Sequence, residues 1–498
     1  MSDQSKRLLR GGARAATGVV IIGVSVAAAL ALGSGVVPLP AVDRGIVALD
    51  VDTSQNAKFS LVCPGAFGEL GADPTQPTEA LPSGETELVV TGDSTGARDL
   101  AREPAGGTAP RALDAAATDT LAAAELQWVS TETIEGASAS ACAEPVHEQW
   151  LVGGSTTLGI STTVILSNPF EVPATVQLAI FGAEGPLGSS SAAGVLVPAN
   201  SQRIVSLGGY APNEQRLAVR VQSTGAAVTA ALGVSQTVEI NSFAVDTATR
   251  QLAPSTQLVV PGVVNAMSDK AVDGVASGED AFPVVVRLLA PGEEGGVARI
   301  LALQTTGETL ELGTVDLEPG EVFDYIVPAW PAEAQGIEVQ ADVPVVGAVL
   351  GSSDAPPTHE NAWFAPAPML PAGTDVAAAI VSKGRLVIAN PGDTEAEVTI
   401  TPYVPGPSGD AADGEGSGGG GSGNSAAKPA DSQAKSPKST TVTIEPHSAK
   451  PVDAKGKVWL NSTEPVSAGV RVVSGAFLAG YPVLAPTERS STLTVYPR

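Results

Sequence analysis

Gly92-Asp-Ser-Thr-Gly96 matches G-x-S-x-G, the pattern in which a serine on a sharp strand-to-helix turn offers its hydroxyl for acyl transfer. Glu87-Leu-Val-Val90 would supply the strand, and Ala97-Arg-Asp-Leu-Ala-Arg102 could begin the helix. That chemistry also needs a base. The three histidines, His147, His359 and His447, each sit in a turn-like context beside proline. With 55 glycines in 498 residues the pattern arises readily by chance. Glycoside hydrolysis needs only two carboxyls a few ångströms apart on any fold, and 53 acidic residues make that test uninformative. No catalytic residue is therefore assigned. A non-enzymatic chain is expected, with an extracytoplasmic hydrolase using Ser94 or a carboxylate pair as an alternative.

The histidines lie about ninety residues or more apart and show no H-E-x-x-H spacing, so no zinc site is expected. Glu293-Glu294 and Gly278-Glu-Asp280 could offer oxygen ligands to calcium, but no D-x-[DN]-x-[DN]-G loop accompanies them. They read as solvated acidic loops. The glycine tract Gly418–Gly421 lacks a following Gly-Lys-Ser/Thr, so it cradles no phosphate. No cofactor is expected. Trp128, Trp150, Trp330, Trp363 and Trp459 fall near strands or domain edges and read as core anchors. A formal net charge of −26 argues against nucleic acid as a partner.

Cys63 and Cys142 are the only cysteines. A disulfide between them in an oxidising compartment is the economical assignment, with two free buried thiols as the alternative.

Residues 1–14 carry Lys6, Arg7, Arg10 and Arg14 against the single acid Asp3, and 15–37 are uncharged. As a helix those 23 residues would span about 34 Å, enough to cross a hydrocarbon core of about 30 Å. The basic flank orients 1–14 to the cytoplasm as a tail and the bulk of the chain outward, giving a single-pass cell-membrane topology. A cleaved signal peptide is the alternative.

Beyond Trp150 the chain repeats loosely three times. Thr163-Val-Ile-Leu-Ser-Asn-Pro169 and Ala174-Thr-Val-Gln-Leu-Ala-Ile180 correspond to Arg385-Leu-Val-Ile-Ala-Asn-Pro391 and Ala396-Glu-Val-Thr-Ile400. Phe282-Pro-Val-Val-Val-Arg-Leu-Leu-Ala-Pro291 opens the middle unit, and the spacing Pro169 to Pro198 resembles that of Pro291 to Pro319. Short alternating segments between Gly, Pro and Asn turns predict an all-β ectodomain of tandem immunoglobulin-like, antiparallel β-sandwiches. The Asn-Pro pairs read as structural strand ends, where proline's missing donor is tolerated.

The expected organisation is a cytoplasmic tail at 1–14, a transmembrane helix at 15–37, a membrane-proximal β-rich region with the disulfide at 42–149, and sandwiches at 150–255, 256–362 and 363–498. A disulfide-tied β domain and an irregular stalk both remain open for 42–149. Within the third sandwich, residues 405–438 are Gly/Ser-rich and read as a disordered loop.

Cys63-Pro64-Gly65, Cys142, Trp150-Leu-Val-Gly-Gly154, Asn168-Pro169 and Ala174-Thr-Val176 together resemble an uncharacterised actinobacterial family of membrane-anchored envelope proteins. The resemblance extends over nearly the whole chain, although the long Gly/Ser insertion departs from it. Members tend to be encoded near a membrane glycosyltransferase, which implies a link to cell-envelope polysaccharide and leaves no catalytic residue to carry over. The resulting expectation is a membrane-anchored protein that binds or organises envelope components, its partner an unidentified envelope protein or glycan. An accessory subunit of a membrane glycosyltransferase is the second alternative.

Overall fold

The computed structural model describes residues 49–52, 58–73, 75–76, 79–187, 194–238, 241–266, 282–353, 360–404, 438–486 and 492–495. These residues are all-β, arranged in several sheets, with one short 3-10 turn at Leu207–Gly209. Among them no helix is long and apolar enough to cross a membrane. The expected transmembrane helix at 15–37 and the expected disordered loop, except for its last residue, lie outside the described residues. Two compact units are present: residues 56–489, and a smaller unit in which Leu49–Asp52 pairs antiparallel with Thr492–Val495.

In the first repeat two antiparallel sheets share one apolar core. Glu148–Val152, Ala218–Gly225 and Ala174–Gly182 form the first sheet, and Asn241–Ala248, Thr229–Val238, Ile160–Asn168 and Ser201–Ser206 the second. Ala174–Gly182 alternates between buried and less buried positions, as a half-covered strand must. Ile160–Asn168 does not alternate, because its second face is covered as well. There the Arg102 guanidinium donates to Gln202 Oε1 and to the carbonyls of Ala66, Gly106 and Thr108, while Gln202 Nε2 donates to Pro64 O.

In the second repeat Ala334–Ser352 passes from one sheet to another. Its first half pairs with Ser255–Pro261 and Gly296–Gln304, and its second with Val285–Leu289 and Asn361–Phe364. The third repeat pairs Gly384–Asn390 with Ser448–Val452 and Val466–Ser474, facing Val376–Ile380, Gly456–Ser462, Ala396–Pro402 and Thr440–Ile444. Ala396–Pro402 and Thr440–Ile444 pair with each other, so the Gly/Ser tract joins two neighbouring strands of one sheet.

The Asn-Pro pairs act through the asparagine. Asn168 is fully buried; its Nδ2 donates to the carbonyls of Val172, Val197 and Pro198, and its Oδ1 accepts the Phe170 amide. Asn390 repeats this with Thr394 O, Ile444 O and the Gly392 amide. Further along each repeat one residue takes positive φ: Asn200 at 50°, Gly320 at 79° and His447 at 51°. Ser201 and Ser448, which follow Asn200 and His447, each bond the carbonyl three residues back. Asn168→Ala is expected to cost about 2–4 kcal/mol by orphaning several buried backbone groups, read as a lower urea midpoint; an unchanged midpoint would refute the clamp.

Residues 58–143 form small sheets rather than a stalk. Lys58–Cys63 pairs with Arg111–Ala116, which also pairs with Gly96–Asp99; Ala122–Ser130 pairs with Glu87–Thr91 and Glu135–Ala141. The segment from Ala97 that a hydrolase elbow would need as a helix is instead a pair of short strands, Gly96–Asp99 and Ala101–Arg102. Arg98 is bound there to Asp114 on the neighbouring strand, a cross-strand ion pair that favours the extended form. Ala124, Leu126, Ala137 and Ala139 belong to the same core cluster as the third repeat.

Candidate functional site

One cavity has a volume of about 540 Å³, and several separate stretches of sequence wall it. Leu61, Leu121 and Cys142 contribute one side. The segment 250–259 leads from the first repeat into the second. Residues 366–369 and 376–379, and then 481–486, close the remainder. The volume falls within the roughly 300–1,000 Å³ of small-molecule sites. Its wall is mostly aliphatic and proline-rich, and Leu252 and Met369 stand 53% and 39% exposed. Large apolar side chains left in solvent around a concave apolar wall mark a surface shaped to be covered.

The polar groups in this wall are largely committed to the protein. The Tyr481 hydroxyl donates to Ala379 O and accepts the Val381 amide, and burial pushes its pKa up. Gln257 Nε2 donates to Glu338 Oε1. Arg250 is buried and donates to Gln149 Oε1; burial lowers its pKa to about 10, against the opposing charge of Glu144. This arrangement can hold an apolar body. It presents no nucleophile paired with a base.

Cys63 and Cys142 form the expected disulfide, with Cα atoms 4.3 Å apart, and Cys142 lies in the cavity wall. The bond closes a separation of 79 residues, worth roughly 4–5 kcal/mol in the chain-entropy model. Reduction, or the paired change Cys63→Ala/Cys142→Ala, is expected to lower the unfolding free energy by about that amount in urea titrations. A loss below about 1 kcal/mol would show that the region is held without the bond.

Ser94 lies exposed between Glu87–Thr91 and Gly96–Asp99, where its hydroxyl donates to the carbonyls of Gly96 and Asp114. His147 Nδ1 lies at Ser223, and His447 Nε2 bonds Asp393. His359 and 278–280 fall outside the described residues, and Glu293-Glu294 is exposed. Among the described residues no group of three His, Cys, Asp or Glu side chains is placed to hold a metal ion. Of the tryptophans, Trp150 and Trp363 are buried, Trp330 packs at the edge of the second core, and Trp459 lies edge-on to Tyr403. Trp128 departs from the expectation of a core anchor. It is 41% exposed, because its strand turns that side chain outward to lie against Phe477.

Three buried acids escaped the sequence reading. Glu360 accepts backbone amides from Ala137, Val245 and Leu478; burial raises its pKa well above the ordinary carboxylate range, those amides oppose the rise and Asp246 adds to it. Asp246 accepts the Trp363 amide and is pushed up to about 7 by burial. Glu125, which accepts the Gly65 amide, is also raised to about 7 by burial.

Fold and site together define an all-β, multi-sheet protein that is tied by one disulfide and walls an apolar cavity. The chain belongs to DUF5719, a family of unknown function whose match spans residues 101–415. That match takes in Cys142 and the first two repeats and leaves Cys63 outside. No curated protein and no solved structure matches the chain.

Proposed function

We propose that this is a membrane-anchored, extracytoplasmic binding protein of immunoglobulin-like sandwiches, whose large cavity takes the apolar part of an envelope component. The observation that carries this reading is the aliphatic cavity of about 540 Å³ with Leu252 and Met369 exposed in its wall. A disulfide supports export to an oxidising compartment. The uncharged run at 15–37 behind a basic tail supports the anchor and its orientation. An apolar ligand beside a membrane fits an envelope component that carries a lipid chain, in keeping with the polysaccharide link implied by the resemblance to actinobacterial proteins encoded near a glycosyltransferase.

The test uses full-length protein in nanodiscs and the fluorescent fatty acid cis-parinaric acid as probe. Wild type should enhance its emission saturably. Leu252→Glu/Met369→Glu should weaken binding by about tenfold or more, since each change replaces apolar contact worth about 1.5–3 kcal/mol. Both side chains are partly exposed, so the fold should survive. Equal binding by wild type and the double variant, or no saturable binding, overturns the reading.

A further inference from the structure

A second cavity, of about 270 Å³, is separate from the first and different in chemistry. It lies where the second sheet of the first repeat meets Arg287 and Trp363 of the second. Asp246, Gln236, Gln215 and Asn361 line it, with Trp363 in the wall. Asp246 is 1% exposed; its Oδ2 accepts the Trp363 amide, and its Oδ1 is buried without a hydrogen-bond partner. A buried orphan oxygen is destabilising unless something bonds it. Thr249, another side chain with an orphan atom that borders a void, meets one of only about 20 Å³. Half-buried Gln236 and Asn361 and exposed Gln215 line the second cavity with Asp246, and their side-chain amides make no hydrogen bond among the described residues.

Arg287 narrows the choice of ligand. Its Nε and Nη2 bond Asp324, Nη1 donates to Gly154 O and Nη2 also to Gln215 O, and its guanidinium lies over the Trp363 ring at 4.6 Å. With those donors committed, it offers little to an anion, and its positive charge in the same wall disfavours a cation. What stays free is a mixed set: amide donors, amide acceptors and one carboxyl oxygen. Hydroxyl groups, which donate and accept at once, complement such a set better than any ion does.

We propose that this notch is a binding subsite for a neutral sugar ring, with Asp246 Oδ1 accepting from a ring hydroxyl and the side chains of Gln236 and Asn361 engaging its neighbours. The volume suits one ring rather than an oligosaccharide. The site shares no lining residue with the apolar cavity, so it stands or falls independently of the reading above.

The experiment is saturation-transfer NMR on the full-length protein in nanodiscs with methyl glycosides of glucose, mannose and galactose, and with ethanolammonium as a cationic control. At least one glycoside should receive saturation with a measurable Kd. At pH 8 and above, where Asp246 is ionised, Asp246→Asn, which turns an acceptor into a donor while keeping the shape, should weaken that Kd by about tenfold, within the range for one buried hydrogen bond. Gln236→Ala, on a neighbouring strand and only half-buried, should weaken it severalfold and guards against a folding defect in the first variant. Absence of saturation in all three glycosides overturns the proposal, as does equal affinity in wild type and both variants. So does binding of ethanolammonium in their place.

Discussion

Glu360→Ala is expected to lower the unfolding free energy by about 3–9 kcal/mol, a large share of the roughly 5–15 kcal/mol that holds a typical domain. The carboxylate is 2% exposed and collects three backbone N–H groups from strands far apart in sequence. Oε1 accepts from Ala137 and Val245, and Oε2 from Leu478, at 2.8–3.0 Å. The donors sit on Glu135–Ala141, Asn241–Ala248 and Phe477–Pro482, so one side chain joins the N-terminal sheets, the first repeat and the last. Alanine would leave all three amides buried and unpaired. Glycine at 136 leaves room for the carboxylate, since a Cβ there would collide with Oε1. Glu360→Gln keeps one acceptor but turns an amide NH2 toward a backbone donor, so its cost should fall between wild type and alanine. Urea titration of both variants measures the effect; a loss below 1 kcal/mol in the alanine variant would show that the junction is held by apolar packing alone.

The strands were legible because their chemistry is local. Alternation in Ala174–Gly182 and Ala396–Pro402, and the turns between them, followed from residue type and spacing. The disulfide followed from there being only two cysteines in a chain expected to be exported. The Asn-Pro repeat was visible, but proline drew the explanation while asparagine does the bonding, because hydrogen bonds to Val197 and Ile444 cross distances that a linear reading does not span. Likewise the spacing of Pro198 and Pro319 came close to the real correspondence. The repeated feature is the positive-φ residue, Asn200, Gly320 or His447, which is not confined to one amino acid.

Neither cavity was legible. The apolar one draws its wall from stretches lying between residues 61 and 486, and no local pattern marks them as neighbours. Nothing local in Ala244-Val-Asp-Thr-Ala248 marks Asp246 as a buried acid. Both faces of that strand are covered, one by the first core and one by Glu135–Ala141, where Ser138 and Thr247 share a hydrogen bond. Burial of this kind depends on long-range packing, so one acid among 53 carries no signal of it.

That burial makes stability fall as pH rises, the reverse of a protein held by salt-bridged carboxylates. Asp246 and Glu125 are raised to about 7 from ordinary values near 4, and Glu360 is raised as well. In the interval between the unfolded and folded pKa the native chain holds more protons than the unfolded one. Stability is therefore fully present below about pH 4 and is lost as pH climbs through about 7. At about 1.4 kcal/mol per pKa unit, Asp246 and Glu125 each contribute a loss of roughly 3–5 kcal/mol. The urea midpoint should be higher at pH 5 than at pH 8, and Asp246→Asn should flatten the profile by removing one share. Self-repulsion in a chain of net charge −26 also grows with pH. Salt separates the two causes: 0.5 M NaCl screens surface repulsion but does little for a group taken out of water. A slope that survives in salt and shrinks in Asp246→Asn assigns the effect to the buried acids. A slope abolished by salt, or a midpoint that rises toward pH 8, would mean that these carboxyls ionise without cost.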